Sequence, residues 1–254
     1  MEHEPSHKKV VKRLIRDIYA RKLKPGEKLP PLRELSRELA TDQTSLRIAL
    51  KHLEMMRVVV IKRSDGAYIQ DYLENAGPEF LIALLPAPGA QEPLIDEYLI
   101  DELFEYWKAF LPELVRMSWG RLSLKNIKEI MTIYDQELEA LPDISTIVTL
   151  EIRLVNTLVK VADNIMLTLM TNSLRPMQQQ MTEVMMRVLS PEVLRESILQ
   201  RKELMEGIIS GGITDPDAGI EKLRQIMEFN QQNMRKALAE KVAHKKRPAP
   251  LASE

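Results

Sequence analysis

The sequence predicts a mainly α-helical chain in two parts. A small helix-helix-helix-hairpin unit fills the first 70 residues, and an all-α antiparallel helical bundle follows. Three observations lead there. Apolar residues recur at helical spacing in three short segments ahead of two β-rich runs. From Phe80 to about Glu240 only helical periodicity is found. Charge divides at nearly the same place: residues 1–70 hold 16 Lys and Arg against 9 Asp and Glu, a balance of +7, while the remainder holds 20 against 28, a balance of −8. A basic segment on an acidic body implies a polyanionic partner for the first part alone.

The elements follow in order. Residues 8–22, KKVVKRLIRDIYARK, put Val11, Leu14, Ile15 and Ile18 on one helical face. Pro25, Gly26, Pro30 and Pro31 then break the chain. Pro31 suits the first turn of a second helix, where its missing N–H costs nothing, and Leu32, Leu35 and Leu39 form the apolar stripe of that helix. Thr41 or Asp42 caps a third helix that buries Leu46, Leu50 and Leu53. Two β-rich runs around Ser64-Asp65-Gly66 then read as a hairpin. This order is that of a winged helix-turn-helix, a DNA-binding unit.

Gly77 and Pro78 punctuate a junction. The expected organisation is residues 1–71 as the winged unit, 72–79 as a linker, 80–240 as a helical effector-binding and dimerisation domain, and 241–254 as a disordered tail. Breaks at PAPGAQEP, GRLS, LPDIS, LSPE and SGGITDPD divide the bundle into six or seven helices of about 15–25 residues.

Composition excludes several classes. At 44% hydrophobic and 29% charged, the 254 residues suit a globular protein with a sizeable core. The absence of cysteine removes disulfides, thiolate zinc sites and cysteine nucleophiles, and fits a reducing cytoplasm. No run approaches the roughly 18 apolar residues of a membrane span, and the N-terminus has no apolar signal region. Neither a Walker loop nor G-x-G-x-x-G, G-x-S-x-G or H-E-x-x-H occurs, so the expectation is a regulator without cofactor rather than an enzyme. Asp135, Glu137 and Glu139 read as a solvated helix face.

The third helix opens TDQTSLRIAL, with small polar residues where base edges would be met. Gln43 can bond an adenine edge, Thr44 and Ser45 can reach bases or phosphates, and Arg47 can grip a guanine or a phosphate. Thr44, Arg47 and Lys51 share one face opposite the leucines. The backbone N–H groups at the helix start add an anion site for phosphate. Arg33, on the preceding helix, could anchor the neighbouring strand. Asp42 and Asp65 run against this reading, since each would face phosphate; Asp42 is excused as a cap, Asp65 by its turn.

LKPGEKLPPLRELSRELATDQTSLRIALKHLE, residues 23–54, resembles the signature of GntR-family transcriptional regulators. Pro25-Gly26, Leu29-Pro30, Arg33-Glu34-Leu35, Leu39, Thr44, Leu46-Arg47, Ala49-Leu50 and Leu53 carry the match. Ser64 and Asp65 depart from the family's wing, where glycine and a basic residue are usual, and Arg57 stands where glycine usually ends the third helix. The resemblance implies that Arg33, Thr44, Ser45 and Arg47 touch DNA, with Gln43 at a specificity-setting position and Arg63, Ser64 and Gly66 at a wing tip near the minor groove. It implies a homodimer on a double-stranded operator.

The remainder resembles the FadR-like (FCD) effector domain, in LIDELFEYWKAFLPELVRMSW and EIRLVNTLVKVADN. Many such domains hold a divalent metal through one Asp and three His. Here the corresponding positions fall at Glu151, and near Val155, Arg201 and Asn230, and the four histidines, His3, His7, His52 and His244, all lie elsewhere. One carboxylate without imidazole is a poor transition-metal site, so no metal is expected. Two further polar pocket positions of the family correspond to Trp107 and Leu111. Either these residues fill a core that has lost its cavity, or they line a metal-free apolar pocket for an unknown small-molecule effector, such as an acyl-type ligand. The resulting expectation is a repressor controlled by that effector.

Overall fold

The computed structural model describes residues 5–85 and 97–245 and divides into two compact units between Leu94 and Ile95. In the first unit, α1 (Ser6–Tyr19), α2 (Leu32–Glu38) and α3 (Gln43–Met55) precede an antiparallel hairpin of β1 (Val59–Lys62) and β2 (Gly66–Ile69). The apolar stripe of α1 packs on α3, and Ile15, Ile18, Leu46 and Leu53 have almost no exposed surface. Val59 pairs with Ile69 and Lys62 with Gly66, leaving a three-residue turn at 63–65 with Ser64 at φ +62°. Arg57 ends α3 in the left-handed region, at φ +62°, where glycine is usual.

The Pro-Gly segment does more than break a helix. Leu29 N–H donates to Ala67 O, Ile69 N–H to Glu27 O and Gly26 N–H to Ile69 O, so the segment lies along β2 with Lys28 opposite Tyr68. Gly66, at φ +138°, has Lys28 Cε 3.0 Å from where a Cβ would stand, so both its backbone angle and this close approach favour glycine.

The unit extends beyond the hairpin. Helices α4 (Tyr72–Asn75) and α5 (Pro78–Leu84) belong to it, whereas the sequence reading assigned 72–79 to a linker and Phe80 onward to the bundle. The reason is a chain of contacts back to α1. Arg21, just past α1, bonds Asp71 at 3.0 Å and lies 4.4 Å over the Tyr72 ring; Tyr72 stacks on buried Phe80, and α5 packs on α1.

The second unit holds α6 (Glu97–Trp119), α7 (Leu124–Ala140), α8 (Ile144–Ala162), α9 (Ile165–Val188), α10 (Pro191–Ile209) and α11 (Pro216–Lys245). Short capped turns join α7 to α11. Ser123, Asn164 and Ser190 each accept one backbone N–H at a helix start and Asp143 accepts two, removing orphan donors. The core gathers Leu114, Ile133, Leu154, Val155, Leu158 and Ile198 from four helices. Gln231 on α11 joins Asp101 and Lys108 on α6 through its two side-chain termini, at 2.8 and 3.1 Å. Helix α11 runs to Lys245, so residues 241–245, expected in a disordered tail, are helical; the rest of that expected tail lies outside the described residues. Among the described residues no helix is long and apolar enough to cross a membrane.

Candidate DNA interface and helical-unit cavity

The polar edge of α3 is built by its cap. Asp42 accepts the N–H of Ser45 at 2.8 Å, and a hydrogen bond from the Ser45 side chain, with that backbone bond, holds its carboxyl below the usual range. Two consequences depart from the sequence reading. The carboxylate of Asp42 takes the Ser45 N–H, one of the helix-start donors expected to serve a phosphate. Ser45, half-buried, turns toward its own cap. Gln43, Thr44, Arg47 and Lys51 are exposed, while Leu46, Ala49, Leu50 and Leu53 are buried behind them. Arg33 is exposed on α2, and among the described residues no carboxylate lies within salt-bridge distance of Arg33 or Arg47. Arg63 and Ser64 are exposed in the hairpin turn, and Gly66 is half-buried beside them.

The structure accounts for the awkward Asp65. Its Oδ1 accepts from Lys28 Nζ at 2.7 Å and its Oδ2 from Tyr68 OH at 2.8 Å, and these partners lower its pKa while raising that of Lys28. The Lys62 ammonium lies 4.5 Å from the centre of the Tyr68 ring. Lys28 was missed in the sequence because only the pairing of its segment with β2 brings it to the wing.

In the second unit, Trp107, Leu111, Glu151, Val155, Arg201 and Asn230 all line one cavity of about 60 Å³. Much of the remaining wall is apolar, including Met185, Met186 and Met227, with Thr182, Gln178 and Ser197 as further polar side chains. That is room for a few water molecules, each of which needs about 10–15 Å³ of such space. Arg201 spans two carboxylates. Its Nη1 lies 2.7 Å from Glu151 Oε1, its Nη2 lies 3.1 Å from Glu137 Oε2, and its guanidinium carbon is 5.3 Å from the centre of the Tyr134 ring.

Glu137 is fully buried, contrary to its reading as part of a solvated face, while Asp135 is exposed and pairs with Lys202. The signal was present: Ile130, Ile133, Tyr134 and Glu137 sit at i, i+3, i+4 and i+7, so Glu137 continues an apolar stripe. Burial, with Glu151 adding to it, pushes the Glu137 carboxyl up to about 8 against the pull of Arg201. Burial works against charge on Arg201 too, but Glu151 and Glu137 hold it protonated.

These residues do not fit a divalent metal. Val155 has no donor, Arg201 brings a positive charge to the place, and Glu151 is already bound to it. Among the described residues, no group of three or more His, Cys, Asp or Glu is arranged to hold a metal.

Comparison with known proteins bears on the first unit. Residues 6–69 match the profile of the bacterial regulatory proteins of the gntR family. An uncharacterized HTH-type transcriptional regulator of Mycobacterium tuberculosis is 32% identical over 83 residues, covering 28% of this chain and only 34% of that protein. Among solved structures, Lar, which controls expression of the Listeria monocytogenes agr system, superposes at a TM-score of 0.53 with 14% identity, over 93% of this chain and 99% of that one. At that identity the likeness is one of fold. A Streptococcus agalactiae GntR covers 89% of this chain and 99% of its own at a TM-score of 0.44 and 17% identity. The chain therefore carries, over residues 6–69, a winged helix-turn-helix domain of the bacterial gntR regulatory family.

Proposed function

We propose that this protein is a sequence-specific regulator of transcription that binds a near-palindromic operator as a homodimer and represses until a small molecule occupies its helical unit. The observation that carries the DNA reading is α3. Gln43, Thr44 and Arg47 are exposed on a helix anchored by four buried apolar residues, inside a domain of a DNA-binding family. A helix so held can present its first turns to the major groove. The dimer reading is supported by α9, where Ile165, Met166, Leu169 and Met170 form an exposed apolar stripe that a second copy could cover. The FadR-like reading of the helical unit is supported by the six residues meeting at one cavity, with an ionic end at Arg201 and apolar walls.

Selection from a random DNA library with the purified chain tests the first reading. Arg47→Ala should weaken the selected site by about 1–3 kcal/mol and relax one base preference. Unchanged affinity and preference in that variant would sink the recognition-helix assignment.

A second reading of the helical unit has its own support. A cavity with room for only a few waters is too small for an acyl chain unless the methionine wall gives way. A core that has lost its effector site would leave such a void, with regulation passing to protein contacts. Titrating fatty acids and acyl thioesters of graded length, followed by Trp107 emission in a Trp119→Phe background and by operator affinity, separates the two. Saturable binding that lowers operator affinity supports an effector site; no binding at any length supports the lost one.

A further inference from the structure

A cleft of about 390 Å³ runs between the wing and α3, with Leu29, Leu50 and Ala67 in its floor and Lys28, Arg47, Lys51 and Asp65 among its lining residues. Two of these three cations are already engaged. Lys28 donates to Asp65 at 2.7 Å, and Lys51 donates to Glu54 at 2.5 Å. Each carboxylate is also tied to the wing through its other oxygen. Asp65 Oδ2 accepts from Tyr68 OH on β2 at 2.8 Å, and Glu54 Oε1 accepts from the Ile61 N–H on β1 at 3.3 Å. These are not ion pairs of two swinging side chains, because the acidic partner is held in place by a second donor. Arg47, between them in sequence, has no carboxylate partner among the described residues.

We propose that Asp65 and Glu54 are built-in counterions of this cleft, which mask Lys28 and Lys51 and so hold down sequence-independent attraction to DNA while Arg47 stays free to make contact. The inference rests on the DNA-binding reading above. A phosphate entering the cleft meets each lysine with its charge already balanced by an anchored carboxylate, and that carboxylate stands against the DNA. A lysine that stays paired releases no counterion from the duplex, so it adds nothing to the salt dependence of binding. The pKa directions agree with this geometry: Lys28 is raised by Asp65, and Glu54 is lowered by Lys51.

The test is the salt dependence of binding to a random-sequence duplex, read by fluorescence anisotropy with the full chain. Asp65→Asn and Glu54→Gln should each steepen the slope of log K against log salt by about 0.9. Each should also raise non-specific affinity by roughly eight-fold at 0.1 M salt, the factor that one added phosphate contact implies. Lys28→Ala should have little effect alone and should cancel the gain in the Asp65→Asn background; Lys51→Ala should do the same for Glu54→Gln. A loosened wing would lower affinity and leave no lysine-dependent gain. Wild-type binding with unchanged or flatter slopes in both single variants overturns this inference alone. Failure of the wild-type chain to bind any duplex overturns the DNA-binding reading and this inference with it.

Discussion

The two units use the same pairing of cation and carboxylate in opposite surroundings. On the winged unit, Lys28–Asp65 and Lys51–Glu54 stand in water at the edge of a cleft. In the helical unit, Arg201 lies between Glu137 and Glu151, with only 12% of its side chain exposed and none of Glu137. In water such a pair adds little to stability but changes what another charge meets. When buried, it bears on folding, because each ion has lost its hydration and removing one partner strands the other. The trio is also unbalanced, one cation against two carboxyl groups, and burial beside Glu151 raises the Glu137 pKa, which favours its protonated form. Comparable contact distances therefore have different consequences: little for stability in the exposed pairs, much in the buried trio.

That contrast can be broken at several points. The largest effect is expected for Arg201→Ala, which leaves Glu137 and Glu151 facing one another without a cation. Denaturant unfolding should show a loss of about 3–5 kcal/mol. A loss below 1 kcal/mol would mean that the trio is hydrated and that the contrast fails.

Next comes the pH dependence. The folded pKa of Glu137, about 8, lies above its unfolded value near 4.5, so between these limits the folded state binds the extra proton. Stability should then fall as pH rises through this window, by at most about 1.4 kcal/mol per unit from this one group, and level off above it. Glu137→Gln should flatten that fall, and melting curves from pH 5 to 9 would reveal it. An identical pH profile in the variant would show that Glu137 ionises normally.

The remaining effects lie on the winged unit and are smaller. Asp42→Ala removes the cap of α3 and should lower the melting temperature measurably, though less than Arg201→Ala does. Asp65→Asn should leave the melting temperature nearly unchanged in the same measurement, as exposed pairs do, even while it alters the salt dependence of DNA binding. A larger loss of stability would place Asp65 with the buried trio as a structural residue.

The helices of the bundle were legible because each carries its own period and its own caps, as at Ser123, Asp143 and Ser190. The edge of α3 was legible for the same reason: Asp42 and the leucine stripe are local signals. Three features were less so. Lys28 reaches the wing through a pairing 40 residues away along the chain, between its own segment and Tyr68. Helices α4 and α5 joined the first unit through Arg21, Tyr72 and Phe80, contacts that no local pattern announces. Glu137 was hidden by its neighbours, since acidic residues two apart suggest an exposed face although successive positions on a helix point about 100° apart.

By itself the sequence determined the class of the chain, the order of its elements, the winged domain and the residues offered on the exposed side of α3. These depend on spacing, caps and turn residues, whose physics acts over a few positions. The tertiary structure alone decided which charges are masked, which carboxylate is buried, and how little open space remains around Arg201. Those outcomes depend on distances between groups far apart in the chain. The energy of a charge is fixed by what surrounds it in space, not by what precedes it in sequence.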